Sequence, residues 1–246
     1  MYVKICGLTT LTDAEVAVEA GADLLGFIFY EKSPRAADAR TVAAIVAALK
    51  AGEQDAAGIS AKSWPSATGL APELTSQDHR PPFTGHRSPL FVGVFVNASL
   101  EQIVRTLNYC DLDLAQLHGE EPPELLAALP GRAYRALRPR SDEEAAAQAA
   151  SFGRFGPARG PRLLVDAWHP SLRGGSGQTG DWRLAATLAA HYPLLLAGGL
   201  TPDNVAAAIT QVQPWGVDVA GGVEAAPGRK DHAKVRAFLA AVTNIR

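Results

Sequence analysis

The feature that most constrains the fold is the regular alternation of short apolar runs with alanine-rich segments. Eight runs rich in Val, Leu, Ile and Phe are each followed by a segment with apolar residues at helical spacing. Near-continuous apolar strands separated by helices are typical of parallel sheets covered on both faces. For a chain of 246 residues, a closed barrel fits this pattern better than an open doubly wound sheet. The sequence therefore predicts an α/β fold, with a single (β/α)8 TIM barrel domain spanning residues 1–246.

The pattern also gives approximate bounds for each element. The predicted strands are 3–6, 24–29, 91–96, 114–117, 133–137, 163–166, 194–197 and 217–220. The predicted helices are 13–20, 39–50, 100–107, 121–129, 142–150, 182–190, 203–210 and 231–242.

Residues 52–89 interrupt the alternation. They include five prolines and many small polar residues, with no apolar period, which is typical of loops. Because they follow the second helix and precede the third strand, we expect a Pro/Ser-rich insertion on the N-terminal face of the barrel, opposite the active-site loops. Long loops also carry binding functions, so a partner-binding loop anchored by Trp64 and Phe83 is the alternative.

Composition excludes several classes of function. A net charge of −2 and a pI near 6.3 provide no basic field for nucleic acid or an anionic membrane. Charged residues in the first 30 positions argue against a signal peptide, and the apolar stretch 184–200 is broken by His, Pro and Gly. The two cysteines, Cys6 and Cys110, fit free thiols in a reducing compartment. We therefore expect a cytoplasmic protein that binds neither nucleic acid nor a membrane.

Polar side chains lie at the C-terminal ends of several predicted strands, where a barrel binds its substrate. Cys6 ends the first strand and shares a face with Lys4, because strand side chains alternate. Polar groups at the ends of apolar strands are costly to bury unpaired, so several together indicate a site. The further candidates are Arg35, Gln116, His118, Asp166 and Asp218.

Each candidate has a purely structural alternative. A lone cysteine such as Cys6 is more often a small buried hydrophobe than a reactive group. Asp166 and Asp218 are equally compatible with helix caps or loop hydrogen bonds. Arg35 fits a solvated surface charge, and His118 fits a hydrogen-bonded core histidine. None of these residues identifies a site by itself.

Paired glycines follow the last two predicted strands. Gly198 and Gly199 precede a Thr-Pro-Asp helix start, while Gly221 and Gly222 follow Ala220 and precede an acidic turn. Such turns allow backbone N–H groups at a helix N-terminus to approach a phosphate. Glycines also serve simply to make tight βα turns, but two pairs on adjacent strands favour phosphate binding.

Other familiar site motifs are missing or misplaced. The histidines are scattered, no HxxxH, CxxC or GxSxG spacing occurs, and we expect no bound metal. Gly175, Gly177 and Gly180 match the dinucleotide fingerprint formally, but eight residues separate this match from its strand. The sequence therefore predicts proton transfer by an acid and a base on a phosphorylated small molecule.

An ordered set of motifs runs along the chain: KICGLT, GADLLGFIF with SPR, VGVFVN, LAQLHG, LLVDA with GGSGQTGDW, LLLAGGLTPDNV, and VDVAGGVE with PGRKD. Together these motifs are similar to the phosphoribosylanthranilate isomerase family of tryptophan biosynthesis. They cover nearly the whole chain except residues 52–89. The resemblance implies a (β/α)8 barrel that rearranges N-(5-phosphoribosyl)anthranilate into 1-(2-carboxyphenylamino)-1-deoxyribulose 5-phosphate.

The resemblance also implies residue roles. Cys6 matches the general base, Asp166 the general acid, and Arg35 the arginine that holds the anthranilate carboxylate. The nitrogen of the ring-opened substrate accepts the electrons, so we expect no cofactor. A free cysteine is mostly thiol and a free aspartate mostly ionised at neutral pH, so both groups need a shifted environment. We expect Lys4 to favour the Cys6 thiolate electrostatically.

The chain departs from the family pattern at two loops. Ala220, Gly221 and Gly222 stand where the family commonly has Ser-Ser-Gly, and Gln178 and Gly180 replace a usual Lys and Phe. We therefore expect phosphate contacts from backbone amides and weaker contacts to the anthranilate ring.

The sequence disfavours two rival functions. An isomerase for the histidine-pathway aminoaldose is disfavoured, because that family has an aspartate where this chain has Cys6. A barrel that binds a ligand without catalysis is disfavoured by the intact Cys6, Asp166 and Arg35. The expected partner is a small phosphosugar, and the sequence leaves monomer or homodimer open.

Overall fold

Eight parallel strands close into a barrel in chain order, as seen in a computed structural model that describes residues 1–56, 89–158, 160–166 and 182–245. Each strand pairs with the next, and β8 pairs with β1. The predicted (β/α)8 fold is confirmed. The strands are β1 Tyr2–Cys6, β2 Leu24–Ile28, β3 Leu90–Phe95, β4 Leu114–Leu117, β5 Ala133–Leu137, β6 Leu163–Asp166, β7 Leu194–Ala197 and β8 Gly216–Val219.

Helices cover the outside of this barrel. They are α1 Leu11–Glu19, α2 Ala39–Ala56, α3 Leu100–Tyr109, α4 Pro123–Ala127, α5 Asp142–Phe152, α6 Trp182–Ala189, α7 Val205–Val212 and α8 His232–Thr243. A 3-10 turn, Gly221–Val223, and a short hairpin of β9 Glu224–Ala226 and β10 Arg229–Lys230 lie between β8 and α8. No helix within the described ranges is both long and apolar enough to cross a membrane.

The element predictions were wrong in several details. Helix α2 continues to Ala56 instead of ending at residue 50, so the predicted insertion begins inside a helix whose last residues still include helix formers. Helix α4 is shorter than predicted, because Glu121 lies before the helix and its carboxylate binds backbone amides there. The β9–β10 hairpin was missed, although Pro227-Gly228 is a turn signal.

Several sequence expectations lie outside the described residues. The partner-binding interpretation of Trp64 and Phe83 is one of them. The others concern Gln178, Gly180 and the fingerprint glycines of residues 175–180.

Side-chain alternation divides the core into two layers. On β1, Val3 and Ile5 point outward into the large cluster that includes Phe238 of α8. The inward positions form a second cluster that fills the barrel, and polar residues follow it towards the C-terminal end. Its buried members are Leu24, Val92, Leu114, Tyr134, Ala136, Leu164, Leu195 and Ala197.

Side-chain caps fix the starts of several helices. The hydroxyl of Thr10 accepts the Asp13 amide and begins α1 two residues before its predicted start. Ser99 and Gln102 form a reciprocal capping box at α3, and Asp231 accepts two amides at α8. These caps mark where the loop before each of these helices ends.

A buried ion pair anchors the loop after β4. The Glu121 carboxylate pairs with Arg135 of β5 and accepts the amides of Asn97 at 2.7 Å and Gly119 at 2.9 Å. Asn97 has a left-handed backbone with φ of 54°, which brings its side-chain oxygen within 2.6 Å of the Glu120 amide. The network holds the loop that carries His118.

We expect Glu121→Ala to lower the free energy of unfolding by about 3–5 kcal/mol, because Arg135 would be left as an uncompensated buried charge. Urea denaturation followed by circular dichroism measures the change. The control is Glu19→Ala, which removes an exposed pair with Arg236 at 3.4 Å; its effect should stay below about 1 kcal/mol. Equal losses in the two variants would contradict a structural role for the buried pair.

Candidate active site

A fully buried lysine forms the centre of the polar layer. Lys4 Nζ donates to Gln116 Oε1 of β4 at 2.9 Å and to Asp218 Oδ1 of β8 at 3.1 Å. The Tyr134 hydroxyl donates to the same Gln116 oxygen at 2.8 Å. Burial alone would lower the pKa of Lys4, but the attraction of Asp218 raises it above its ordinary value. The ammonium is therefore charged, and it ties β1, β4 and β8 together inside the barrel.

Cys6 lies above Lys4 at the C-terminal end of β1, with 5% of its surface exposed. Its neighbour on β2 is Gly26. A Cβ at that position would lie 2.8 Å from Cys6 Sγ and 3.1 Å from Lys4 Cε. Only glycine at position 26 leaves room for the thiol and the lysine side by side.

Burial raises the pKa of the Cys6 thiol, and Asp218 raises it further. Lys4 and Lys230 oppose this effect by favouring the thiolate. The expected electrostatic aid from Lys4 thus acts in the anticipated direction, but it is smaller than the effect of burial. Cys6 is a protonated thiol in the free protein at neutral pH.

A chain of contacts leads from this centre to the end of β6. Gln116 Nε2 lies 2.9 Å from His118 Nδ1, and Arg138 Nη2 lies 2.6 Å from His118 Nε2. Arg138 Nε also lies 3.5 Å from Asp166 Oδ2. Asp166 therefore shares one network with Gln116, although it stands at the end of a different strand.

Burial, with Arg138 and Lys4 as further causes, lowers the pKa of His118 to about 3. A neutral imidazole carries a single ring N–H. Because Lys4 and Tyr134 occupy Gln116 Oε1, the Gln116 amide nitrogen faces Nδ1, while the Arg138 guanidinium faces Nε2, so both ring nitrogens lie against donors. The single acceptor nitrogen of a neutral imidazole can serve only one of these two donors.

Arg35 lies just after β2 and is held by an acidic residue that the sequence analysis missed. Its Nε donates to both Glu224 carboxylate oxygens at 2.8 and 3.0 Å, and its Nη2 donates to Oε2 at 2.7 Å. This hydrogen bonding raises the pKa of Arg35. The alternative of a solvated surface charge is wrong, and Nη1 has no hydrogen-bond partner within the described residues.

Two further residues were missed because they belong to the unexpected hairpin. Glu224 and Lys230 face each other across the Pro-Gly turn, with Lys230 Nζ 2.9 Å from Glu224 Oε1. Lys230 Nζ also donates to the carbonyls of Cys6 and Ala220. The available signal was the opposite charges of Glu224 and Lys230 on either side of the Pro227-Gly228 turn.

The glycine pairs lie together at the barrel mouth. Gly198 and Gly199 follow β7 with left-handed φ angles of 97° and 66°. Gly222 packs so closely on the next loop that a Cβ there would overlap the Leu200 carbonyl oxygen. A Cβ at Gly221 would lie 3.3 Å from Arg35 Nη2. The loops after β7 and β8 therefore touch each other and approach Arg35.

The structure thus brings most predicted site residues into connected groups. Asp218 is buried and paired with Lys4, so its interpretation as a helix cap is wrong. Cys6 and Asp166 end β1 and β6, and Arg35 lies in the loop after β2, so all three are at the C-terminal end of the barrel. The glycine turns after β7 and β8 lie at the same end.

Comparison with known proteins decides the family. The model of the N-(5′-phosphoribosyl)anthranilate (PRA) isomerase family matches residues 69–241. The chain is 43% identical over 237 residues to the N-(5′-phosphoribosyl)anthranilate isomerase of Pelobacter propionicus, covering 96% of this chain and 93% of that one. The chain belongs to the PRA isomerase family.

Solved structures agree with this assignment. The barrel is similar to phosphoribosyl anthranilate isomerase from Thermotoga maritima, with a TM-score of 0.74, 34% identity and 99% of each chain covered. It is also similar to a phosphoribosyl anthranilate isomerase in complex with reduced 1-(o-carboxyphenylamino)-1-deoxyribulose 5-phosphate. That match has a TM-score of 0.71 and 32% identity, and it too covers 99% of each chain.

The partly buried, neutral His118 predicts a specific pH dependence of stability. Its pKa is about 3 in the folded protein against an ordinary 6.5, so the unfolded chain binds more protons between these values. Stability should therefore fall as the pH drops from 6.5 towards 3. We expect His118→Gln to lose less stability over this range, as measured by urea titrations at several pH values.

The matched control for this experiment is His191→Gln, which changes an exposed histidine. It should keep the pH dependence of the unaltered protein. A His118→Gln variant with the same acid loss as this control would show that His118 is not held neutral by burial.

Proposed function

We propose that this chain isomerises N-(5-phosphoribosyl)anthranilate to 1-(2-carboxyphenylamino)-1-deoxyribulose 5-phosphate in tryptophan biosynthesis, with Cys6 as general base and Asp166 as general acid. Membership of the PRA isomerase family supports the reaction. The observation that carries the residue roles is that Cys6 and Asp166 end β1 and β6 at the same mouth, joined through one polar network.

The first step in the proposed mechanism opens the ribose ring. Asp166 donates its proton to the ring oxygen as the C1′–O bond breaks, and the lone pair of the anthranilate nitrogen forms the C1′=N bond. The product is a cationic Schiff base and an aspartate carboxylate. Arg138, 3.5 Å from Asp166, lies where it can stabilise that carboxylate.

In the second step Cys6 removes the proton from C2′. The electrons of the C2′–H bond form a C1′=C2′ double bond, and the C1′=N pair returns to nitrogen, giving a neutral enolamine. Burial raises the pKa of the thiol, and the cationic Schiff-base nitrogen opposes this effect. The thiol therefore gives its own proton to solvent once that cation has formed, and the resulting thiolate takes the C2′ proton. The Cys6 thiol then gives a proton to C1′ and the Asp166 carboxylate takes the O2′ proton, which yields the ketone. Asp166 is thereby protonated again, and the Cys6 thiolate regains its proton from solvent.

Arg35 is proposed to bind the anthranilate carboxylate. Its bidentate pair with Glu224 uses Nε and Nη2, which fixes the plane of the guanidinium. Nη1 then remains for the substrate. A planar guanidinium is well suited to a carboxylate ligand.

The phosphate is proposed to bind between the two glycine turns. Gly198 and Gly199 follow β7, and Ala220, Gly221 and Gly222 follow β8. Backbone amides at such turns bind phosphate on (β/α)8 barrels. With no hydroxyl at positions 220–222, these amides supply the contacts.

The proposal extends to domain organisation, cellular location, bound groups and oligomeric state. We propose one domain over residues 1–246, a cytoplasmic location, no bound metal or cofactor, and a monomer or homodimer that sedimentation equilibrium would distinguish. Both thiols are free, which fits a reducing compartment.

The function is tested by the decay of phosphoribosylanthranilate fluorescence. Cys6→Ser and Asp166→Asn should each reduce kcat by at least about a hundredfold, because each removes one proton-transfer group. Cys110→Ser is the matched control, since this second buried thiol lies at the end of α3. Turnover that survives Cys6→Ser would show that Cys6 is not the general base. Absence of turnover by the unaltered protein would show that the chain does not catalyse the proposed reaction.

The phosphate site is tested by Gly222→Ala. The added Cβ overlaps the Leu200 carbonyl oxygen, so the turn must shift and its amides lose alignment. We expect KM and the inhibition constant of inorganic phosphate to rise about tenfold or more, the scale of one charge-assisted hydrogen bond. Gly52→Ala, which has open space around the new Cβ, should leave both constants unchanged. An unchanged phosphate constant in Gly222→Ala would place the phosphate elsewhere.

A further inference from the structure

Lys230 is a buried cation to which neither the family resemblance nor the proposed mechanism gives a role. It belongs to the motif PGRKD and lies on β10. Its side chain has no exposed surface. Its Nζ donates to the Cys6 carbonyl at 2.7 Å, the Ala220 carbonyl at 3.2 Å and Glu224 Oε1 at 2.9 Å.

Two of these acceptors lie where β1 and β8 separate from each other. The last residues paired between β1 and β8 are Ile5 and Val219. Cys6 and Ala220 are the next residues, where the strands separate into their loops. The Lys230 ammonium bridges their carbonyls, so it continues the contact between β1 and β8 beyond the end of the ladder.

The ammonium has three N–H groups and three acceptors, so its hydrogen bonding is complete. It has no free donor for a substrate and no free lone pair to act as a base. A role in the reaction must therefore be exerted through the groups that it holds. Those groups lead to three parts of the proposed site: the base, the phosphate turn and, through Glu224, Arg35.

We propose that Lys230 is a positioning residue that fixes Cys6, the Ala220 turn and the Glu224–Arg35 pair relative to one another, and that its charge favours the Cys6 thiolate. This inference deepens the proposed function and rests on it for the roles of Cys6 and Arg35. The alternative is that Lys230 only stabilises the fold.

The charge of Lys230 acts on the Cys6 thiol together with several other titratable groups. Those facing Cys6 are Lys4 on its own strand, Asp218 from β8, Tyr134 from β5, Arg35 from the loop after β2, and Lys230 from β10. Lys4 and Lys230 favour the thiolate, whereas Asp218 disfavours it. Removing Lys230 takes away one of these cations and should move the titration of Cys6 to higher pH.

Removing the negative charge of Glu224 should shift the pKa of Cys6 in the opposite direction. Its carboxylate balances the charges of both Lys230 and Arg35. Glu224→Gln keeps the shape and an acceptor oxygen but removes the negative charge. The Cys6 titration should then move to lower pH, while KM rises because Arg35 is no longer held by a carboxylate.

The test uses the full chain labelled with 13C at cysteine Cβ, whose NMR shift reports thiol against thiolate without a reagent entering the site. The protein contains only two cysteines, so Cys110 acts as an internal reference. Lys230→Met should shift the Cys6 curve to higher pH and Glu224→Gln to lower pH, with the Cys110 curve unchanged.

Lys234→Met is the matched control. Lys234 Nζ binds the Glu224 main-chain carbonyl at 3.1 Å, so this lysine touches the same hairpin without contacting Cys6, Ala220 or the Glu224 carboxylate. It should leave the Cys6 curve and the kinetics unchanged. Lys230→Met should lower kcat/KM on the order of a hundredfold, the cost of misplacing reacting groups by about 1 Å.

Two results would overturn the inference. One is a folded Lys230→Met with an unchanged Cys6 curve and unchanged kcat/KM, since a merely structural lysine would alter only thermal stability. If Lys230→Met does not fold, the second result comes from Glu224→Gln. An unchanged Cys6 titration curve and an unchanged KM in that variant would overturn the positioning role of Lys230. The titration needs no substrate, so failure of the proposed reaction would appear separately, as absent turnover by the unaltered protein.

Discussion

The rest of the site depends on the buried ammonium of Lys4. A cation inside a barrel otherwise filled by Leu, Val and Tyr is stable only if it is paired and fully hydrogen-bonded. Asp218 supplies the opposite charge, and Gln116 supplies a second acceptor. Because Lys4 and Tyr134 occupy the Gln116 oxygen, the Gln116 amide nitrogen faces His118. The polar layer therefore orients the imidazole at the mouth before a substrate binds.

Cys6 is influenced by two lysines that reach it from different sides. Lys4 acts on the thiol within the barrel, and Lys230 binds its carbonyl from the β8 side. Each lysine has its own carboxylate, Asp218 for Lys4 and Glu224 for Lys230. The paired charges limit the cost of burial, and they leave the thiol protonated in the free protein. A buried cysteine that stays a thiol is less open to oxidation, because the thiolate is the reactive form.

The barrel and its inward residues could be predicted from the sequence, because they follow from local periodicity. Alternation along β1 places Lys4 and Cys6 on one face whatever the rest of the chain does. Glu224 and Lys230 were beyond such reasoning, because their importance comes from contacts with Arg35 and Cys6, far away along the chain. Glu121 was placed inside a helix for the same reason: its buried pairing with Arg135 overrides local helix preference. Periodicity thus predicts which face a residue occupies, whereas its partner depends on tertiary structure.

Gly221 shows how a departure from the family pattern can have a local physical cause. The family commonly has serine here, and a Cβ at this position would lie 3.3 Å from Arg35 Nη2 and 4.0 Å from Glu224 Oε2. A serine hydroxyl would therefore stand beside both partners of the ion pair and compete for the guanidinium. With glycine at this position, the Arg35 guanidinium is paired with the Glu224 carboxylate, and Glu224 is in turn paired with Lys230. Lys230 also binds the carbonyls of Cys6 and Ala220, so the absence of a side chain at Gly221 leaves a continuous chain of contacts from Arg35 to the ends of β1 and β8.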